Sequence, residues 1–175
     1  MADPESVARN LCLRALTGAP KTRRQLVELL ASRGVPDDAA ETVLDRLGEV
    51  GLIDDEAFAR AWVSSRQAGR GLARRALAAE LRAKGVGDEV AASAVAEVGD
   101  DDEREAARRL VERKLPAMRR LDRATATRRL MGMLARKGYS GGLAAAVVRA
   151  ALDDAGADDD AVPGFDELDE DALLP

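Results

Sequence analysis

Histidine is absent from the 175 residues of the chain, and the only cysteine is Cys12. Ser–His and Cys–His nucleophile pairs and most zinc sites are therefore excluded. A single cysteine allows no internal disulfide, which fits a reducing cytoplasm. The chain opens with no signal-peptide pattern, and no apolar run approaches the roughly eighteen residues of a membrane span. We therefore expect a cytoplasmic protein without membrane contact.

Aromatic residues are also scarce, at 2% of the chain, whereas hydrophobic residues together make up 46%. Ala and Leu must therefore fill most of the core. This composition favours closely packed helices over a sheet, which needs β-branched and aromatic side chains. The sequence predicts an all-α protein.

Motifs for catalysis and for cofactor binding are missing as well. The acidic clusters at 54–56 and 100–103 stand where helices are expected to begin, and acids in a first turn complement the helix dipole. The glycines at 69 and 71, and those at 141 and 142, follow no strand and lack the Lys-Ser/Thr of a phosphate loop. We expect no enzyme, no metal and no cofactor.

Charge is segregated along the chain, although the formal net charge is only −5. From Asp153 to the end there are ten acids and no base, so residues 1–152 hold 27 bases against 22 acids. Within that body, residues 60–84 hold seven bases and one acid, and residues 106–137 hold eleven bases and two acids. The pattern indicates basic surfaces on the body and an acidic end.

Three segments of the chain resemble one another at offsets of 51 and 53 residues. They are RQLVELLASRGV from Arg24, RALAAELRAKGV from Arg75 and RRLMGMLARKGY from Arg128. Each has Leu at positions i and i+4 and then a basic residue before Gly, which predicts an amphipathic helix with a glycine cap. The leucines are Leu26, Leu30, Leu77, Leu81, Leu130 and Leu134, and the glycines are Gly34, Gly85 and Gly138.

Helical patterns precede and follow each of these segments. The chain is therefore interpreted as three tandem three-helix repeats that form an elongated, curved body. The expected repeats are residues 1–53, 54–100 and 101–154. The remaining residues 155–175 lack periodicity and are expected to be a disordered acidic tail.

The stretch GLIDDEAFARAW predicts how the second repeat begins. Asp54 can cap the first helix, and Ile53 and Phe58 stand at the two positions of a hydrophobic staple. Trp62 lies four residues after Phe58 on the same helical face, so both aromatics are expected to anchor the core of this repeat. The alternative is that they stack on nucleobases.

Arginines on exposed helix faces are the candidate functional residues. Placing Leu77 and Leu81 in the core turns Arg75 and Arg82 to the opposite face. The basic blocks have two interpretations, a solvated helical face or a binding surface for phosphates or an acidic protein. The candidate surface comprises Arg66, Arg70, Arg74, Arg75, Arg82, Arg119, Arg120, Arg123, Arg128, Arg129 and Arg136.

The stretch GLIDDEAFARAWVSSR resembles the Gly-x-Ile-Asp-Asp-x-x-Phe-Ala pattern of the RecX family, which comprises regulators of the recombinase RecA. The resemblance continues in RKGYSGGLAAAVVRAAL of the third repeat and covers about residues 6–153. It implies three tandem three-helix repeats, in agreement with the internal repeat. The matching residues of the second repeat are Gly51, Ile53, Asp54, Asp55, Phe58, Ala59, Arg66, Gly71, Leu77, Leu81, Lys84 and Gly85.

The resemblance also implies a function. It implies binding in the groove of the RecA–DNA filament, restraint of strand exchange and of coprotease activity, and some direct affinity for DNA. We therefore expect a monomeric, non-enzymatic regulator whose partner is RecA and which reaches DNA weakly or through the filament. The alternative is a helical regulator that acts on DNA directly, although Gln25 and Gln67 are the only glutamines available to read bases.

The acidic tail lies outside the family pattern and has two interpretations. In the first, the tail folds back over the basic face of its own chain and lowers non-specific binding to DNA. In the second, it only keeps the chain soluble. The tail contains FDELDEDALL, whose apolar residues suffice for a short helix on docking.

Overall fold

The computed structural model describes residues 3–160 of the chain. Within this range the secondary structure is entirely helical, as predicted, and no helix combines the length and apolarity needed to cross a membrane. The elements are α1 (Pro4–Gly18), α2 (Arg23–Ser32), α3 (Asp37–Glu49), α4 (Asp55–Arg70), α5 (Arg74–Ala83), α6 (Asp88–Ala96), α7 (Asp100–Lys114), the 3-10 helix η1 (Leu115–Met118), α8 (Arg123–Arg136) and α9 (Gly141–Asp160).

The helices pack in consecutive groups of three, which confirms the predicted series of three-helix repeats. Helices α1 to α3 form the first repeat, α4 to α6 the second and α7 to α9 the third. In each repeat the third helix packs against both of the others, and a separate cluster of buried side chains fills the interior. The leucines predicted from the internal repeat are all fully buried.

The first helices of the three repeats share a pattern of buried residues that complements the leucines of the second helices. Each first helix buries an alanine and, four residues later, a cysteine or a valine. Small side chains at these positions let the first helix approach the leucine-bearing helix closely. The pairs are Ala8 with Cys12, Ala59 with Val63, and Ala107 with Val111, none more than 5% exposed.

Neighbouring repeats meet through their second helices. The C-terminal end of the second helix of one repeat contacts the N-terminal end of the second helix of the preceding repeat. At the first junction, the hydroxyl of Thr22 at the N-cap of α2 donates to the Lys84 carbonyl at the end of α5, at 2.6 Å. At the second junction, the Ala73 N–H at the N-cap of α5 donates to the Lys137 carbonyl at the end of α8, at 3.0 Å. The last carbonyl groups of a helix have no hydrogen-bond donor within that helix, and each junction supplies a donor to one of them.

Acidic side chains from the following repeat also cap the second helices. The Arg23 N–H at the start of α2 donates to Asp55 Oδ1 at 2.9 Å. The Arg74 N–H at the start of α5 donates to Glu103 Oε1, also at 2.9 Å. The acidic clusters therefore have a role beyond the first turns of their own helices, because one acid from each caps a helix of the preceding repeat.

Glycine is required at both junctions for two reasons. Gly85 and Gly138 have φ angles of +86° and +90°, which residues with a side chain rarely adopt. A Cβ at Gly85 would lie 2.6 Å from the Cβ of Arg24, and a Cβ at Gly138 would lie 2.7 Å from the Cβ of Ala76. Gly34 ends α2 with a φ of +71° but has no atom of another repeat nearby.

Ile53 packs in the core of the first repeat and Phe58 against the core of the second, and the staple between them stays a prediction. The structure corrects one expectation, the residue at which the tail begins. Helix α9 continues to Asp160 and so enters the segment expected to be the tail, since no proline stops it before Pro163. The remainder of that segment, residues 161–175, lies outside the described residues.

A methyl group at the second junction should destabilise the protein more than the same group at Gly34, where α2 ends. Gly34→Ala and Gly138→Ala both add backbone strain of about 1 kcal/mol at a positive φ. Gly138→Ala also forces the new Cβ against the backbone N and the Cβ of Ala76, which we expect to cost a further 1–3 kcal/mol or so. Urea denaturation followed by circular dichroism measures both variants, and equal losses would contradict the proposed close approach.

Tyr139 should make the second junction sensitive to alkaline pH. Its hydroxyl donates to the Gly71 carbonyl at 2.8 Å, the residue is 2% exposed, and burial raises the pKa of the phenol to about 12, with Glu103 adding to the effect. Because the folded pKa lies above the unfolded value of about 10, its contribution to stability is intact below pH 10 or so and is lost as the pH rises towards 12.

We therefore expect Tyr139→Phe to lower the free energy of unfolding by about 1 kcal/mol at neutral pH. The difference from the unmodified chain should shrink above about pH 10, since only that chain has a phenol to ionise. Urea denaturation across this range measures the difference. Tyr139 is the only tyrosine, so tyrosinate absorbance follows its ionisation directly, and ionisation at an ordinary pKa in the folded protein would contradict the burial argument.

Candidate interaction surface

Some of the candidate arginines already have acidic partners in the structure. Arg66 pairs with Glu80 at 3.5 Å, Arg82 with Asp88 at 2.6 Å, and Arg123 with Asp153. Arg74 pairs with both Asp100 and Glu103. The other candidates are exposed and have no ion pair within residues 3–160, and we call them the unpaired arginines: Arg70, Arg75, Arg119, Arg120, Arg128, Arg129 and Arg136.

Arg74 has a structural role at the second junction. Its guanidinium donates to Glu103 Oε2 through Nε at 3.1 Å and Nη2 at 2.9 Å, and Nη2 also donates to Asp100. The hydrogen bonds to Glu103, and then those to Asp100, raise the pKa of Arg74 above its ordinary value. Because these acids begin α7, Arg74 joins the second repeat to the third and is not available to a ligand unless that contact breaks.

Three unpaired arginines stand on the helix ends that meet at the second junction. Arg70 ends α4, Arg75 lies in the first turn of α5, and Arg136 ends α8. These helix ends are in direct contact, since Lys137 Nζ donates to the Arg70 carbonyl at 2.7 Å while the Lys137 carbonyl accepts from Ala73. We call Arg70, Arg75 and Arg136 the junction arginines. The junction thus brings together helix ends that carry exposed arginines from segments far apart in sequence.

The remaining unpaired arginines belong to the third repeat. Arg119 and Arg120 lie in the connection between η1 and α8, and Arg128 and Arg129 lie on the exposed side of α8. Leu130, which follows them, is fully buried, so the helix turns its leucines inward and these arginines outward. The helix face predicted for Arg75 follows the same rule, because Arg75 is exposed while Leu77 is fully buried.

Trp62 lies at the edge of the second core and is only partly buried. Its Nε1 donates to Glu80 Oε2 at 2.9 Å, and its ring stacks on Phe58 with the centroids 5.9 Å apart. The Arg66 guanidinium and the Lys84 ammonium lie 4.2 and 4.7 Å from the ring centroid, which places both in cation–π range. Trp62 therefore joins α4 to the end of α5, and its ring faces are occupied by neighbours from its own repeat.

The described residues contain no group of side chains arranged for metal binding or nucleophilic catalysis. No three acidic or cysteine residues among them could hold a metal ion. The Cys12 thiol is fully buried, and burial raises its pKa, so little of the reactive thiolate forms.

This fold defines a protein built from three-helix repeats. Family models described as the first, second and third three-helix domains of RecX match residues 8–47, 54–95 and 101–148. The chain therefore belongs to the RecX family, whose members are regulatory proteins and not enzymes.

Relatives named regulatory protein RecX are similar over most of the chain. The protein of Streptomyces coelicolor is 60% identical over 156 residues, which cover 89% of this chain and 83% of that protein. The protein of Thermobifida fusca is 53% identical and covers 91% of this chain and 88% of its own length. The crystal structure of RecX from Lactobacillus salivarius has the same fold, with a TM-score of 0.79 at 21% identity over 85% of this chain and 97% of that one.

Truncation of Trp62 should separate a structural role from a base-stacking role. Because the ring is only partly buried, we expect Trp62→Ala to lower the free energy of unfolding by about 2–3 kcal/mol, below the 3–5 kcal/mol typical of a fully buried aromatic residue. Trp62→Phe keeps the packing surface and should lose less. Urea denaturation measures stability, and a titration with single-stranded DNA measures binding. An alanine variant of unchanged stability that fails to bind DNA would assign the ring to base stacking.

Proposed function

We propose that the chain binds in the groove of the RecA–DNA filament and inhibits the recombinase and coprotease activities of RecA. Its membership of the RecX family supports RecA as the partner. The observation that carries the proposal is the set of unpaired arginines, which spans the second junction and the third repeat. A partner that contains RecA and DNA phosphates offers acidic groups to all of them. Membership of the RecX family and the positive charge of the unpaired arginines also fit action in the cytoplasm.

The proposed inhibition is steric and electrostatic. A body that occupies the filament groove competes there with a second DNA strand or with a substrate of the coprotease. The three separate cores suit this role, because each repeat folds around its own interior and the junctions hold the repeats in sequence. Unpaired arginines bind phosphates without first losing an acidic partner, so they contribute more to binding than paired ones do.

The second candidate is a regulator that binds DNA directly. The junction arginines favour it, because exposed arginines of three helices stand on helix ends that meet at one junction, and arginine is a common phosphate contact. Sequence-specific reading of bases has less support, since arginine contacts to phosphates carry no sequence information. Direct binding should therefore be weak, independent of sequence and strongly dependent on salt.

Reversal of the junction arginines tests the leading proposal. We expect the triple variant Arg70→Glu, Arg75→Glu and Arg136→Glu to inhibit DNA-dependent ATP hydrolysis by RecA at least about tenfold less effectively, a change of about 1.4 kcal/mol. The helical circular dichroism should be unchanged, because these residues are exposed and have no ion pair in the described part of the chain. Arg74 and Arg82 are left intact so that no existing contact is lost.

A matched control variant reverses Arg9, Arg14 and Arg33 in the first repeat, which are also exposed and without an ion pair within residues 3–160. It changes the net charge equally, so it should inhibit RecA much as the unmodified chain does. Equal losses in both variants would show that only total charge matters. If inhibition by the unmodified chain required concentrations that already saturate naked DNA, direct DNA binding would be the better explanation.

A further inference from the structure

A groove separates the second repeat from the third beside the second junction. One wall is the C-terminal end of α4 and the other is the C-terminal half of α7, and the space between them is about 480 Å³. Gly71, at the end of α4, lets the walls approach, since a Cβ there would lie 3.1 Å from a methyl carbon of Leu110. Its lining includes Ala68, Ala106, Arg109, Leu110, Glu112 and Arg113.

The groove combines apolar side chains with positive charge. Ala68, Ala106 and Leu110 supply the apolar part of its lining. Arg109 is exposed and holds Glu105 only at 3.6 Å, and Arg113 is exposed without an ion pair within residues 3–160. The one acid of the lining, Glu112, faces Arg108 at 3.6 Å. A suitable occupant therefore carries acidic and apolar residues together.

The C-terminal segment of the same chain has this composition. Residues 161–175 contain five acids and no base, interspersed with Phe165 and three leucines. Their charge complements the arginines of the groove, and their apolar residues match its alanines and leucine. A basic groove is otherwise open to any polyanion, whereas an attached acidic segment is present at a high effective concentration.

The segment follows a helix of the same repeat that supplies one wall of the groove. Helix α9 packs against α7, and Asp153 of α9 pairs with Arg123 at the start of α8. The fifteen residues 161–175 span up to about 50 Å when extended.

We propose that residues 161–175 dock in the groove between α4 and α7 of their own molecule. The docked segment places its carboxylates against Arg109 and Arg113 and lies next to Arg70, so it shields the junction arginines from non-specific polyanions. The acidic end thereby regulates access to the basic surface. This inference concerns the isolated chain and stands whether or not RecA is the partner.

A spin label in the segment tests the docking directly in the full-length chain. Cys12→Val removes the buried thiol, using the residue found at the equivalent positions 63 and 111, and Ala172→Cys provides one site for the label. We expect the label to broaden the amide NMR signals of Gly69 and Gly71 and of residues 106–113. The broadening should weaken as salt is raised, because exposed ion pairs are screened.

Two variants locate the contact. Arg109→Gln with Arg113→Gln should abolish the broadening, whereas Arg119→Gln with Arg120→Gln, an equal charge change in the same repeat, should leave it in place. Broadening that is absent at low salt, spread evenly over the body or unaffected by the first pair would overturn the proposal. A mixture of labelled chain and isotope-enriched unlabelled chain should show no broadening, and broadening there would assign the groove to a second copy instead.

Discussion

One hydrogen bond at each junction determines how the repeats are arranged. It joins the end of the second helix of one repeat to the start of the second helix of the preceding repeat. Each such contact pairs an N-cap donor with a C-terminal carbonyl, so that opposite ends of two helix dipoles meet. The contact is possible only because the helix ends in a glycine that brings no Cβ into the gap. The repeated basic-Gly motif therefore serves the joining of repeats as well as the ending of helices, whereas a Cβ at Gly34 would meet no atom of another repeat in the described part of the chain.

Interactions across the junctions also decide which arginines remain available to a partner. Arg74 is taken up by the acids that begin α7, whereas Arg75, its neighbour in sequence, is exposed without an ion pair in the described part of the chain. The difference arises because successive residues of a helix point in directions about 100° apart, and only one of these directions faces the next repeat. The basic surface thus consists of arginines that are not used to join the repeats. It extends over α4, α5 and α8, and a ligand would have few ion pairs to break there.

Much of the fold could be predicted from the sequence, because its signals are local and periodic. Leucines at i and i+4 before a basic-Gly pair predicted the second helices, and the same pattern at three places predicted the repeats. Thr22 and Glu103 were missed because their partners, Lys84 and Arg74, belong to other repeats. The one available signal was the regular spacing of the motifs, which places Thr22 and Ala73 at equivalent N-cap positions. Partial burial of Trp62 could not be predicted either, since helical periodicity gives the direction of a side chain but not how fully its neighbours cover it.

Arginine density in the sequence is consequently a poor guide to the binding surface of a repeat protein. Residues 60–84 form one basic block, yet Arg74 makes a junction contact and Arg66 is a cation–π partner. Arg70 and Arg75 of the same block have no ion pair within residues 3–160. Reversing Arg74 would place a carboxylate against Glu103 and Asp100, and the repulsion would act on the junction before any ligand was present. A loss of binding in such a variant would say nothing about contact with the partner. Only arginines whose removal leaves the junctions intact can identify the surface, and in this chain that condition selects Arg70, Arg75 and Arg136 at the second junction.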